Sequence, residues 1–211
     1  MPILGAVSER QKRPLGGLTD DGWALIPSIE FADLLELCEE LGSRRRVKRL
    51  IARREAEAPG PSLSANHGLG RFPPHTDGVA DVDPPRFVAL WSPAKYEAAT
   101  LLYDGEDPSL NRPLFSQAWL AGVGRRRFYV VPRRADGDRV RWRLNPDCMR
   151  PTNSGGRLEE GLALFDALPR TRVEWRPKQA LVFDNARVLH GREALPAGEG
   201  ERELMRVSVC R

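Results

Sequence analysis

Histidine is scarce in this sequence: of 211 residues only His67, His75 and His190 carry an imidazole. Any chemistry that needs histidine therefore draws on three known positions. Cysteine is equally sparse. Cys38, Cys148 and Cys210 are far apart, odd in number and never in a Cys-x-x-Cys pair, which argues against a disulfide scaffold and a zinc knuckle and for buried free thiols. Long apolar runs are missing: stretches such as Phe87 to Trp91 and Ala180 to Phe183 fall far short of the roughly 18–20 residues of a membrane span. Met1 to Arg13 also lacks the apolar stretch of a secretory signal, so a cytoplasmic location away from membranes is expected. Nor is there a large excess of one charge. Lys and Arg total 33 against 29 Asp and Glu, a net +4 that identifies no partner by itself. Internal repeats and low-complexity tails are absent.

What is present is ordinary globular usage, 41% hydrophobic and 29% charged, with 19 Gly and 18 Pro to make many turns. A chain of this length predicts one domain over 1–211. Leu18 to Ile26 reads as a short strand around Gly22 and Trp23, and Ser28 as the N-cap of a helix over about 29–41. There Phe31, Leu34, Leu35, Cys38 and Leu41 recur at helical spacing and Gly42 supplies a stop. The basic stretch 43–54 is read as a strand, and 59–74, rich in Gly, Ser, Asn and Pro, as a loop. Short β-like runs follow at 86–91, 99–103, 125–132, 138–144, 171–175, 180–184, 186–190 and 203–209, with helices expected near 114–121 and 157–168. Many short strands without βαβ alternation point to an antiparallel sandwich, jelly roll or barrel.

The chemistry concentrates in Arg71-Phe-Pro-Pro-His-Thr-Asp-Gly78. In an extended segment residues i and i+2 project to one side, roughly 6–7 Å apart at Cα, so His75 and Asp77 can converge while Thr76 faces away. His190, far downstream, ends the run Ala180-Leu-Val-Phe-Asp-Asn-Ala-Arg-Val-Leu-His190 and is followed by Gly191 and Arg192. Two histidines and one carboxylate on one side of a metal, with the remaining positions open, form the ligand set of non-haem Fe(II) oxygenases. Alone, a His-x-Asp is usually a surface loop or a hydrogen-bonded pair. The terminal strand adds weight, because one of its faces alternates Arg202, Leu204, Arg206 and Ser208. Inward-facing arginines need carboxylate partners, and a bound dicarboxylate would supply one.

His75-Thr-Asp77, the segment Phe183-Asp-Asn-Ala-Arg-Val-Leu-His190-Gly-Arg192 and Arg202-x-x-x-Arg206 together resemble the Fe(II)/2-oxoglutarate dioxygenases of the taurine dioxygenase and clavaminate synthase type. The resemblance implies a mainly β fold with flanking helices, a double-stranded β-helix (jelly roll, cupin-like). It divides the domain into an N-terminal strand–helix part at about 18–58 and a core at about 59–211. It makes His75, Asp77 and His190 the iron ligands, with 2-oxoglutarate and O2 as cosubstrates. Arg202, twelve residues after the distal histidine, would pair with the distal carboxylate of 2-oxoglutarate, helped by Thr100. Arg206 would contact 2-oxoglutarate or substrate. Two family features differ: Ala98-Ala99 replace a glycine pair before Thr100, and Gln179 stands where an aspartate is usual in a turn. The chain is shorter than typical members, which implies trimmed insertions between Gly105 and Pro169.

The activity so implied is hydroxylation of an unactivated C–H in a small polar substrate, such as an amino acid or specialised-metabolite intermediate, with succinate and CO2 as coproducts. Desaturation, cyclisation and demethylation are the alternatives within that chemistry, and a non-catalytic jelly-roll binding protein is the alternative outside it. Asn66 and His67, shortly before the first ligand, are expected to contact substrate, and Asn185 and Arg187 to brace the distal strand. The runs Arg44 to Arg46 and Arg125 to Arg127 lack the aromatic interleaving of a nucleic-acid surface. They read as a solvated basic surface that would suit steering of an acidic carrier protein or an anionic substrate.

Overall fold

The computed structural model describes residues 15–42, 44–58, 62–152, 158–198 and 202–210. Ser43, residues 59–61, the first residue of the expected 157–168 helix and Glu201 lie outside them. The expected β-like runs form strands. Trp23–Ile26 (β1), Arg44–Ile51 (β2), Phe87–Ser92 (β4), Gln179–Asp184 (β12) and Glu203–Cys210 (β14) form one sheet in the order β1-β12-β4-β14-β2. Phe72–His75 (β3), Tyr96–Asp104 (β5), Arg170–Trp175 (β11) and Val188–Arg192 (β13) form a second, ordered β11-β5-β13-β3. Every ladder among the described residues is antiparallel.

Three cores separate the layers. Val88, Leu90, Leu181, Phe183 and Leu204 from the five-stranded sheet meet Leu102, Val173, Trp175 and Val188 from the four-stranded one, so the two sheets pack face to face. On the outer side of the five-stranded sheet, Phe31–Leu41 (α2) buries Leu34 and Cys38 against Ala89, Ala180, Val182, Val207 and Val209. That is the expected amphipathic helix, ending at Gly42. It begins after Glu30, however, and Ser28 does not cap it. Ahead of β1 the chain makes a helical turn at Gly17–Asp20 (α1), so the first strand is shorter than 18–26.

The outer side of the four-stranded sheet is covered by the stretch 105–169. It contributes Pro113–Ser116 (α4), Trp119–Val123 (β6), Arg126–Val130 (β7), Arg133–Asp136 (β8), Arg139–Trp142 (β9), Met149–Pro151 (β10) and Leu158–Ala167 (α5). Phe115, Trp119, Trp142 and Phe165 pack there on Leu101, Tyr103 and Leu189. The expected helix at 114–121 is one helical turn followed by a strand. Trp119 and Ala121 alternate inward with period 2, and β6 pairs with β7 and β10. The expected loop 59–74 also holds structure: Leu63–His67 (α3), whose N-cap Ser62 accepts a hydrogen bond from the Ala65 amide, and β3. β3 carries Pro73 and Pro74 because it is the edge of its sheet, where a missing N–H disturbs no ladder. Among the described residues, no helix is long and apolar enough to cross a membrane.

Candidate active site

β13 and β3 are neighbours, and their register sets His190 directly opposite His75. The two rings approach to 4.2 Å between centroids. β3 ends at His75 and the chain turns, so Asp77 reaches the same point from a turn rather than from an extended segment. Thr76 faces away: its amide donates to the Leu144 carbonyl at 2.7 Å and its hydroxyl accepts from the Leu144 amide at 3.0 Å. One ligand atom each from His75, Asp77 and His190 lie within 4.8 Å of one another, and His190 Nε2 is 3.9 Å from Asp77 Oδ2.

The donor set suits a divalent metal. His75 Nδ1 is 2.9 Å from the Pro73 carbonyl, which can only accept, so that nitrogen carries the hydrogen and Nε2 keeps its lone pair. Burial, opposed by the nearby Asp77 carboxylate, holds His75 below the ordinary imidazole range. Burial and the neighbouring His75 push His190 down to about 3, so both rings are neutral and able to ligate. Asp77 shows the opposite balance. Burial would raise its pKa, but Arg206, 2.7 Å away at Oδ1, outweighs that and keeps it ionised. Two neutral nitrogens and one anion in a buried pocket match the demand of a metal whose bonds to such ligands run about 2.0–2.2 Å.

Asn185, in the turn between β12 and β13, grips Asp77 from behind. Its Oδ1 accepts from the Asp77 amide at 2.7 Å, and its Nδ2 donates to the Asp77 and Pro85 carbonyls at 3.0 and 2.9 Å. It thus braces the proximal carboxylate as well as the distal turn. Arg187 instead ties the turn to α1 through the Asp20 carbonyl at 2.8 Å. Gln179 closes the 176–179 turn itself, its Oε1 accepting from the Arg176 amide at 2.8 Å, so the missing aspartate leaves that turn intact.

His75, Asp77, His190, Thr100, Arg202 and Arg206 all line one cavity of about 320 Å3 between the sheets. Arg202 is 8% exposed and Thr100 3%. Thr100 Oγ1 accepts from Trp175 Nε1 at 3.2 Å, which leaves the hydroxyl proton free to donate into the cavity. Asn66 and His67 do not line it. His67 Nε2 sits 3.0 Å from Asp147 Oδ1, and the cavity is lined instead by the N-cap Ser62 and by Leu63 and Ser64 of α3. In this structure the His67 ring is hydrogen-bonded to Asp147 on the β9–β10 connection rather than turned into the cavity.

Arg192, beyond its place in the motif, forms part of the cavity wall. Its guanidinium donates to the Gly68 and Gly70 carbonyls at 2.8 and 2.5 Å and stacks 3.6 Å over Phe72, fastening the α3–β3 loop to β13. Burial and the neighbouring Arg202 lower its pKa. β2 supplies Lys48, Arg49 and Leu50 to the cavity, followed by Arg53. The charged side chains lining the cavity are thus cationic except for Asp77.

Residues 104–208 match the family described as Taurine catabolism dioxygenase TauD, TfdA family. No curated protein matches the chain. Among solved structures, an asparagine oxygenase in complex with Fe(II), (2S,3S)-3-hydroxyasparagine and succinate is similar at TM-score 0.74 and 17% identity, over 96% of this chain and 80% of that one. PvcB, an Fe, alpha-ketoglutarate dependent oxygenase from an isonitrile synthetic pathway, is similar at TM-score 0.64 and 19% identity, over 91% and 77%. The non-haem iron oxygenase OrfP in complex with Fe, succinate and (3S)-hydroxy-L-Arg is similar at TM-score 0.69 and 16% identity, over 95% and 78%.

Proposed function

Because the chain belongs to the TauD, TfdA family of dioxygenases, we propose that it acts as a single-domain Fe(II)/2-oxoglutarate-dependent oxygenase that hydroxylates a C–H bond of a small polar substrate, most simply an amino acid. The two facing sheets serve as the halves of a double-stranded β-helix. The observation that carries the reading is the convergence of two neutral, buried histidines and one ionised aspartate from distant parts of the sequence beside a buried arginine. His75 Nε2, Asp77 and His190 would hold the iron, which would supply O2-dependent oxidation of the substrate coupled to conversion of 2-oxoglutarate to succinate and CO2.

The remaining work falls to the protein. Arg202 and the free Thr100 proton anchor the distal carboxylate of 2-oxoglutarate, a charge-assisted pairing made stronger by burial. Arg206 neutralises Asp77 and holds one of its oxygens, so the other is left toward His190. Leu90, Leu204 and Phe72 exclude water from the walls. The hydroxyasparagine and hydroxyarginine held by the similar structures support an amino-acid substrate. Lys48 and Arg53 at the cavity suit its carboxylate, or an acidic carrier protein presenting it, in a cytoplasmic setting.

The test is a screen of amino acids and small acids for substrate-stimulated succinate release by the iron-loaded protein, followed by mass spectrometry of the stimulated reaction. A substrate that gains one oxygen in step with succinate is the expected result. Loss of two hydrogens would replace hydroxylation by desaturation, and no stimulation by any amino acid would contradict the substrate class.

A further inference from the structure

A second cavity, of about 480 Å3, shares no lining residue with the first. It is lined by β7, β8 and β9 against the segment 82–86, where Asp83 is its one acidic side chain. The charge of the molecule is concentrated there. Residues 125–143 contain eight arginines and two aspartates, a net +6, whereas the whole chain is +4, so the remainder is net acidic. Alternation on the strands sorts this segment. Phe128, Val130, Val140 and Trp142 turn inward to the core, while Arg127, Tyr129, Arg134 and Arg141 turn out.

Three features make the outward face more than a solvated surface. Arg134 and Arg141 stand directly opposite each other across β8 and β9, a like-charged cross-strand pair that weakens the hairpin unless an anion bridges it. Asp136 engages only Arg141, at Nε, and Arg134 has no hydrogen bond or ion pair with another described residue. Arg143 stands at the same wall, with its pKa lowered by burial and by Arg134. Finally, Val82, Tyr129 and Val131, exposed by 93%, 72% and 39%, all line this groove; they are three of the five exposed large hydrophobic side chains among the described residues. Tyr129 thus brings an aromatic ring into the same groove as Arg134 and Arg141.

We propose that this groove is a binding site for a nucleotide-type ligand, its diphosphate bridging Arg134 and Arg141 and its base stacked on Tyr129. A phosphate group fits the pair better than a carboxylate. Opposed Cβ atoms on adjacent strands are about 4.5–5.5 Å apart, and a group with three acceptor oxygens and more than one negative charge satisfies two guanidinia at once. A carboxylate reaches the unpaired Arg134 only singly, whereas a diphosphate can also span to Arg141, which Asp136 holds at Nε alone. The Tyr129 ring offers a stacking face that every base can use.

The experiment is equilibrium dialysis of labelled ADP against the iron-loaded full-length protein, with pyrophosphate and adenosine as competitors. Saturable binding of one ADP per chain is expected, displaced by pyrophosphate and not by adenosine alone. Arg134→Glu with Arg141→Glu should weaken it more than about tenfold, and the milder Arg134→Gln with Arg141→Gln should also weaken it, while the circular-dichroism spectrum stays unchanged. Tyr129→Ala should weaken ADP about tenfold and leave pyrophosphate unaffected. His190→Ala should bind ADP as the parent does, which keeps this site independent of the iron centre. Absence of saturable ADP binding, or binding by both double variants as tight as the parent's, would overturn the proposal. So would tighter binding of an oligothymidylate or a polyglutamate peptide than of ADP, which would assign the groove to nucleic acid or to an acidic protein.

Discussion

Asp77 is gripped from two sides, by Arg206 on its carboxylate and by Asn185 on its backbone amide and carbonyl. If Asn185 positions the ligand, Asn185→Ala should lower Fe(II) affinity about 10–100-fold in anaerobic titration. Asn185→Asp, which keeps the acceptor for the Asp77 amide and loses the donors, should fall between. Unchanged affinity in both would reduce Asn185 to a turn residue. The ligand trio itself was legible in sequence because it rests on residue types that do little else, two of three histidines and a carboxylate at His-x-Asp spacing. Arg192 was not, because its partners are backbone carbonyls at Gly68 and Gly70, and carbonyls leave no trace in a sequence. The His67–Asp147 hydrogen bond is hidden for a related reason: proximity in sequence to His75 carries no information about Asp147, which lies far along the chain.

At the scale of elements, the meeting of β3 and β13 depends on Gly191. A Cβ built there would lie 2.7 Å from the Phe72 carbonyl oxygen, on backbone that has no freedom to rotate away. Gly191→Ala should therefore push β3 from β13 and separate His75 from His190. Iron affinity would drop while the far-ultraviolet circular-dichroism spectrum persists, and parental iron affinity would contradict the argument. On the opposite layer, α2 is seated by Leu34, fully buried, and Leu34→Ala should cost about 2–5 kcal/mol in denaturant unfolding. Cys38 beside it gives a pH signature, since burial pushes its thiol up from 9.0 to about 11. Between those values the unfolded chain has released a proton that the folded chain retains, so stability falls as pH rises through the window. The decline should be shallower in Cys38→Ala, and identical slopes would show that the thiol is not desolvated. The strands of the two facing sheets other than β3, and α2, were readable because apolar runs and the period-3.6 pattern are strong there. The 114–121 segment was not, because Leu114, Phe115, Trp119, Leu120 and Ala121 fit a short helix or a strand equally well, and only pairing with β7 and β10 decides.

Over the whole molecule, the antiparallel pattern of short strands was sufficient to indicate a β-rich fold, but not which strands share a sheet. That order follows from long-range pairing such as β14 between β4 and β2. Charge is also arranged at this scale. Basic side chains gather at β2, beside the first cavity, and at the two hairpins beside the second, on a chain whose net charge is small. Steering by the β2 strip predicts that, once a substrate is known, KM rises with ionic strength while kcat does not. A salt-independent KM would remove steering from the account.

The central claim is that His75, Asp77 and His190 hold one Fe(II) with 2-oxoglutarate anchored beside it by Arg202. Anaerobic titration of the metal-free protein with Fe(II) and then 2-oxoglutarate tests it most directly, through the weak visible absorption of the iron-bound keto acid. The band should grow to one equivalent in the parent, require far more 2-oxoglutarate in Arg202→Ala, and be absent in His190→Ala. A parent protein that stays colourless, or a His190→Ala variant that develops the same band, would contradict it.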